Sequence, residues 1–141
     1  MSGLTLRGTI KSKSDQLNVD DLLGSERMIQ VEAVNIVNDP KQPVHIYYYG
    51  CEGVPFKPCL TVRRILFTLW GEDEHGQASH WAGRWMNLYA DMTVSYGNQK
   101  EIGGLRVNAA SHIKGAATLK LTVRRGAKQE FKIQPINLEG Q

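Results

Sequence analysis

Two periods alternate along this chain, and their order predicts its elements. In RWMNLYADMTVSY, residues 84 to 96, the period is two: Met86, Leu88, Ala90, Met92 and Val94 share one face, and Trp85, Asn87, Tyr89, Asp91, Thr93 and Ser95 the other. Earlier, in PFKPCLTVRRILFTLWG, Val62, Ile65, Leu66, Leu69 and Trp70 fall at i, i+3, i+4, i+7 and i+8, one face of an α-helix over residues 60–70 that stops near Gly71. The remaining segments return to the strand period. RMIQVEAVNIVND puts Ile29, Val31 and Ala33 on one parity and Val34 and Ile36 on the other, the mark of a β-bulge. NDPKQP is a turn, and VHIYYYG after it completes a hairpin. At least one tyrosine of that run is expected in the core, where its hydroxyl needs a partner. LRVNA is a short strand after the Gly-rich turn SYGNQKEIGG, and TLKLTVRR with EFKIQPI reads as a terminal hairpin. VDDLLG suits one helical turn, and residues 1–16 are polar, irregular and expected to be partly mobile.

Five or six strands with one helix and no repeats exclude a doubly wound parallel sheet. The expected fold is mainly β: a small antiparallel barrel of the oligonucleotide/oligosaccharide-binding kind over residues 17–141. The helix is early for that layout, since only two strands precede it. A length of 141 residues suits a single domain that buries its core without staples. The composition, 41% hydrophobic and 22% charged, is ordinary for a globular protein. No apolar run is long enough to span a bilayer, and the N-terminus lacks a secretory pattern, so no membrane partner and a cytoplasmic location are expected.

The parity of residues 84–96 raises a question: why does its polar face carry Trp85 and Tyr89? The rings could be covered by another segment, could anchor a protein partner or homodimer, or could stack on unpaired bases. Charge distribution bears on the choice. The formal net charge is only +3, yet residues 100–132 hold Lys100, Arg106, Lys114, Lys120, Arg124, Arg125, Lys128 and Lys132 against Glu101 and Glu130. Arg106, Lys120, Arg124 and Lys132 fall on the outward parity of their strands. The expected nucleic-acid site is therefore Trp85 and Tyr89 for bases, with Arg106, Lys120, Arg124 and Lys132 for phosphates. The ligand class is single-stranded DNA, or RNA by the same chemistry. Arg63 and Arg64 lie off the apolar stripe of the helix and read as a solvated face.

Catalytic and metal chemistry have little support. There is no Gly-rich phosphate loop, no Gly-x-Ser-x-Gly and no His-Glu-x-x-His, and His45, His75, His80 and His112 are scattered. The run Glu72, Asp73, Glu74, His75 has acids that could take a divalent ion, although contiguous loop acids are usually hydrated. Cys51 and Cys59 with His75 and His80 do not have zinc-finger spacing, and two free thiols are expected, with no cofactor.

PFKPCLTVRRILFTLWG, WAGRWMNLYADMTVSYG, EIGGLRV and the closing basic hairpin together resemble small phage and prophage-encoded proteins akin to single-stranded DNA-binding proteins of oligonucleotide-binding fold. The resemblance spans roughly residues 10 to 135 and rests on spacing. It implies protection or organisation of unpaired DNA in phage replication or recombination, in the cytoplasm of a bacterial host. One departure matters: the chain ends in NLEGQ, with Glu139 its sole acid, where many replication-type binders carry an acidic tail. Recruitment by such a tail is in doubt, and inhibition of a host defence complex, through the same aromatic face, or a virion role stays open.

Overall fold

A computed structural model describes residues 16–93, 104–124 and 126–137, without the side chains of residues 123, 124 and 127. Residues 1–15, Val94, the SYGNQKEIGG turn as far as Gly103, and the LEGQ end lie outside the described residues. Among these residues six strands and one α-helix follow in order: β1 (Glu26–Ile36), β2 (Val44–Tyr48), α1 (Leu60–Trp70), β3 (Trp85–Asp91), β4 (Gly104–Ala110), β5 (Ala117–Arg124) and β6 (Ala127–Pro135). A 3-10 turn, Val19–Leu22, precedes β1 where VDDLLG predicts one, and another, Ser79–Trp81, precedes β3.

The strands form one sheet of order β2-β1-β3-β4-β6-β5. The mainly β class and the single helix over residues 60–70 are as expected, but the sheet is open and mixed, not a closed antiparallel barrel. β4 and β6 run parallel, joined at Ala109–Gln134 and Ala110–Pro135. Closure fails because β2 and β5, the two ends of the order, do not pair.

β1 is long enough to serve two neighbours. Its first half pairs with β3, from Glu26 opposite Tyr89 to Gln30 opposite Trp85, and its second half pairs with β2, from Val31 opposite Tyr48 to Ile36 opposite Val44. The register slips between Val31 and Ala33. That slip is the bulge predicted from the parity change, and it turns Val34 toward the core while Ala33 stays exposed.

α1 buries Val62, Ile65, Leu66 and Trp70, the stripe its period predicts. It has no side-chain cap at Cys59. Gly71 ends it with φ 68°, a conformation that favours glycine, and donates its N–H to the Phe67 carbonyl at 2.8 Å. The stripe packs on Ile29, Val31, Ile46, Met86, Leu88, Val107 and Ile133 in a single core cluster. Tyr48 is the buried tyrosine of that run; burial raises its pKa, and the positive charge of Arg27 nearby opposes the rise. Met92 departs from expectation: β3 ends at Asp91, so Met92 lies exposed in a turn.

The connection from α1 to β3 is tied down twice. The Trp70 and Trp81 rings meet edge to face, centroids 5.4 Å apart, and their Nε1 groups donate to the Ser111 and Gly71 carbonyls, each at 2.9 Å. Asp73 organises the polar loop between them: its carboxylate accepts from the N–H of His75 (2.8 Å) and of Gln77 (2.9 Å), and from the Ser79 hydroxyl (2.5 Å). The Ser79 bond, followed by the Gln77 N–H, holds its pKa far below the ordinary 3.8. The acid of this run is thus engaged by its own loop, and among the described residues no three metal-ligating side chains cluster. No described helix is long and apolar enough to cross a membrane.

Two outcomes follow. Ile65→Ala, at a fully buried stripe position, is expected to cost about 2–5 kcal/mol in urea unfolding. Asp73→Asn should lower the midpoint of thermal unfolding at neutral pH. Because the folded pKa is depressed, the Asp73 contribution is complete above 3.8 and is lost as pH falls through the folded value. The gap between variant and wild type therefore closes below about pH 3.8 in a melting series, and a gap that widens there would contradict the assignment.

Candidate nucleic-acid interface

β3 carries the two rings, and its burial alternates as predicted. Met86 and Leu88 are fully buried, and Trp85, Asn87 and Tyr89 are half-buried on the opposite face. The half-exposed face arises because β3 lies inside the sheet with the core and α1 on one side only. Ser111 positions the first ring. Its N–H donates to the Trp85 carbonyl at 2.9 Å, its hydroxyl accepts from the Trp85 N–H at 2.8 Å, and its own carbonyl takes the Trp70 indole. Trp85 is thus fixed, through the buried Ser111, to the end of α1.

Register determines what surrounds the rings. On β1, Gln30, Met28 and Glu26 stand opposite Trp85, Asn87 and Tyr89. On β4, Ala109 stands opposite Asn87 and Arg106 opposite Tyr89, with an irregularity that places Asn108 beside the row. A polar cluster forms between the two rings: Asn87 Nδ2 donates to Glu26 Oε1 and to Asn108 Oδ1, each at 2.9 Å, and Asn108 Nδ2 donates to Glu26 Oε2 at 3.3 Å. Sequence reasoning missed this cluster. Glu26 lies 61 residues from Asn87, and only the β1–β3 register joins them. Burial raises the Tyr89 pKa, Asp91 adds to the rise, Arg106 opposes it, and Glu26 adds to it again.

The expected cations separate into three groups. Lys120 and Lys132 are exposed, as predicted. In the terminal hairpin Lys132 stands opposite Thr118, Lys120 opposite Glu130, and Lys128 opposite Thr122. Two residues beyond Lys132, Gln134 lies beside Ala109, which in turn faces Asn87. By that register the lysines of β6 and β5 share the parity of the ring face, across a β4–β6 seam that pairs only at these two positions. Arg124 pairs through its backbone with Ala127, and its side chain lies outside the described residues.

Arg106 corrects the expectation. It is 6% exposed, so it is no outward phosphate contact. Its Nη1 donates to Cys59 Sγ at 2.9 Å, and its guanidinium lies 5.8 Å from the centre of the Phe131 ring. The cause is the short β4–β6 seam. Among the described residues the two strands pair only at Ala109 and Ala110, and on the flank of β4 beyond that seam Arg106 lies against Cys59 and Phe131. Strand parity could not reveal this, because parity assumes continuous pairing. Cys51 and Cys59 are both free thiols.

No family model matches the chain, and no curated protein or solved structure is significantly similar to it. The functional reading therefore rests on this geometry and on the sequence.

If Arg106 is structural, Arg106→Ala lowers stability by on the order of 1–3 kcal/mol in urea unfolding, through loss of the thiol bond and the ring contact. A variant as stable as the wild type would return Arg106 to the surface set.

Proposed function

We propose that the outer face of β1, β3 and β4, extended by the β5–β6 hairpin, binds single-stranded DNA with little sequence preference. Trp85 and Tyr89 supply flat apolar surfaces for bases, and Lys120 and Lys132 take the phosphates, joined by Lys128. The observation that supports this reading is a shared parity: half-exposed rings on β3, and a register that runs through Ala109 and Gln134 at the one paired end of the β4–β6 seam to the lysines of the hairpin. Base stacking on aromatic rings contributes about 1–3 kcal/mol per base and tolerates any sequence. Glu26, Asn87 and Asn108, between the rings, suit base edges, since a carboxylate accepts from exocyclic amines and amides both donate and accept. The acids near Tyr89 disfavour a phosphate there, which supports a division of bases to β3 and backbone to the hairpin. The sequence resemblance supports a role in phage replication or recombination. Arg106 leaves the set because it is buried, and Arg124 stays in it on sequence grounds alone.

A second reading has its own support. Met28 is 49% exposed and stands opposite Asn87, between Trp85 and Tyr89. A methionine flanked by rings above a paired carboxylate also suits a protein partner, whether a second copy, a phage protein or a host protein.

Titration of unpaired and duplex oligonucleotides at two salt concentrations separates the two readings. The DNA reading expects preference for unpaired strands and a Trp85→Ala loss of about 1–3 kcal/mol with an unchanged salt slope, because stacking releases no counterions. Lys120→Gln and Lys132→Gln should each flatten the slope by about 0.7. Indifference to both oligonucleotides, with concentration-dependent assembly that Met28→Asp abolishes, would instead establish the protein interface.

A further inference from the structure

On the helix-bearing side of the sheet, away from Trp85 and Tyr89, a groove of about 390 Å³ opens between elements remote in sequence. Val34 and Ile36 come from the end of β1, Leu66 and Phe67 from α1, Trp81 from the loop before β3, and Leu121 from β5. It lies where β2 and β5 fail to pair, with α1 between them. Arg64 helps hold this junction, donating from Nη1 to the Thr122 carbonyl at 3.1 Å. The volume is in the range of small-molecule sites, with room for about a dozen methylene-sized groups at about 30 Å³ each.

Two features point to an occupant. Ile36 and Phe67 are large apolar side chains left 46% and 57% exposed, and both line this groove, so an apolar body laid against them would be withdrawn from water. Arg63 lines it too, one turn before Phe67, and borders a second pocket as well; its Nε is shielded from solvent with no hydrogen-bond partner among the described residues, which leaves the charge of the guanidinium poorly compensated. A buried donor without an acceptor is costly, and more so on a charged group. The charged lining residues are Arg63, Arg64 and Glu72, a balance that favours a single negative charge over a phosphate dianion.

We propose that this groove binds a small amphipathic monocarboxylate, its apolar body against Leu66, Trp81 and Leu121 and its carboxylate accepting from Arg63. The site is separate from the ring face, and its occupancy does not depend on how that face is used.

Dodecanoate, below its micelle-forming concentration, is the probe, and dodecanol of equal chain length is its uncharged counterpart. Nitrogen-15 amide shifts map the site, and calorimetry measures affinity. Dodecanoate is expected to bind one to one, to shift the amides of Val34, Phe67 and Leu121 and leave those of Trp85 and Tyr89 in place, and to bind at least about tenfold more tightly than dodecanol. Arg63→Met should remove that preference and leave dodecanol binding unchanged. Leu121→Trp, which fills the groove, should abolish both. The comparison of acid with alcohol on the unaltered protein decides the charge argument even if a variant misfolds. Equal affinity for the two, absence of shifts at the groove, or shifts confined to the ring face would overturn the proposal. A groove closed by a second copy or by another part of the chain gives the second of these results.

Discussion

Everything in this sheet depends on β1 having two partners. A straight eleven-residue strand would present one pattern of side chains to one neighbour on each side. The slip between Val31 and Ala33 divides β1 into a half that holds β3 and a half that holds β2. Side chains on either side of the slip still reach the same core, Ile29 and Val31 before it and Val34 after it. Without the slip, Val34 would turn to water and β2 would have no apolar face to cover. The bend it introduces brings β2 round toward α1, where Phe56 extends the far edge of β2 through its bridge to Ile46.

The second constraint lies at the C-terminal end of α1. Ser111 binds Trp85 by two backbone-directed bonds and takes the indole of Trp70 on its carbonyl, while Trp70 packs on Trp81. Arg84 adds its guanidinium 5.5 Å from the Trp70 ring. Helix end, loop and strand start are thereby locked as a unit. The consequence for the ring face is geometric: Trp85 has a fixed backbone, and whatever it touches meets a preorganised surface.

Much of this was legible in the sequence, and the boundary of legibility has a physical cause. Local periodicity located α1 over 60–70, its stop at Gly71, both hairpins and the bulge in β1, because each depends on residues within a few positions of one another. It separated Met86 and Leu88 from Trp85 and Tyr89 on the two faces of β3 for the same reason. Register between distant strands was not legible. Glu26 reaching Asn87 and Asn108, and Arg106 reaching Cys59 and Phe131, are contacts across the fold, and no local pattern encodes them. The open mixed sheet escaped for a related reason: the pattern of EFKIQPI is the same whether its second neighbour is parallel or antiparallel.

The strand order carries a consequence for how the chain is made. β6 lies between β4 and β5, so β5, although synthesised earlier, has no sheet neighbour until β6 exists. β6 then reaches β4 through two residue pairs, the second ending in Pro135, which has no N–H to give. On a ribosome the first four strands can begin to associate while the hairpin sequence is still emerging, but the sheet cannot be completed before residue 135 clears the exit. Until then the edge of β4 stands open, with Phe131 and Ile133 not yet in place to shield its core-facing side.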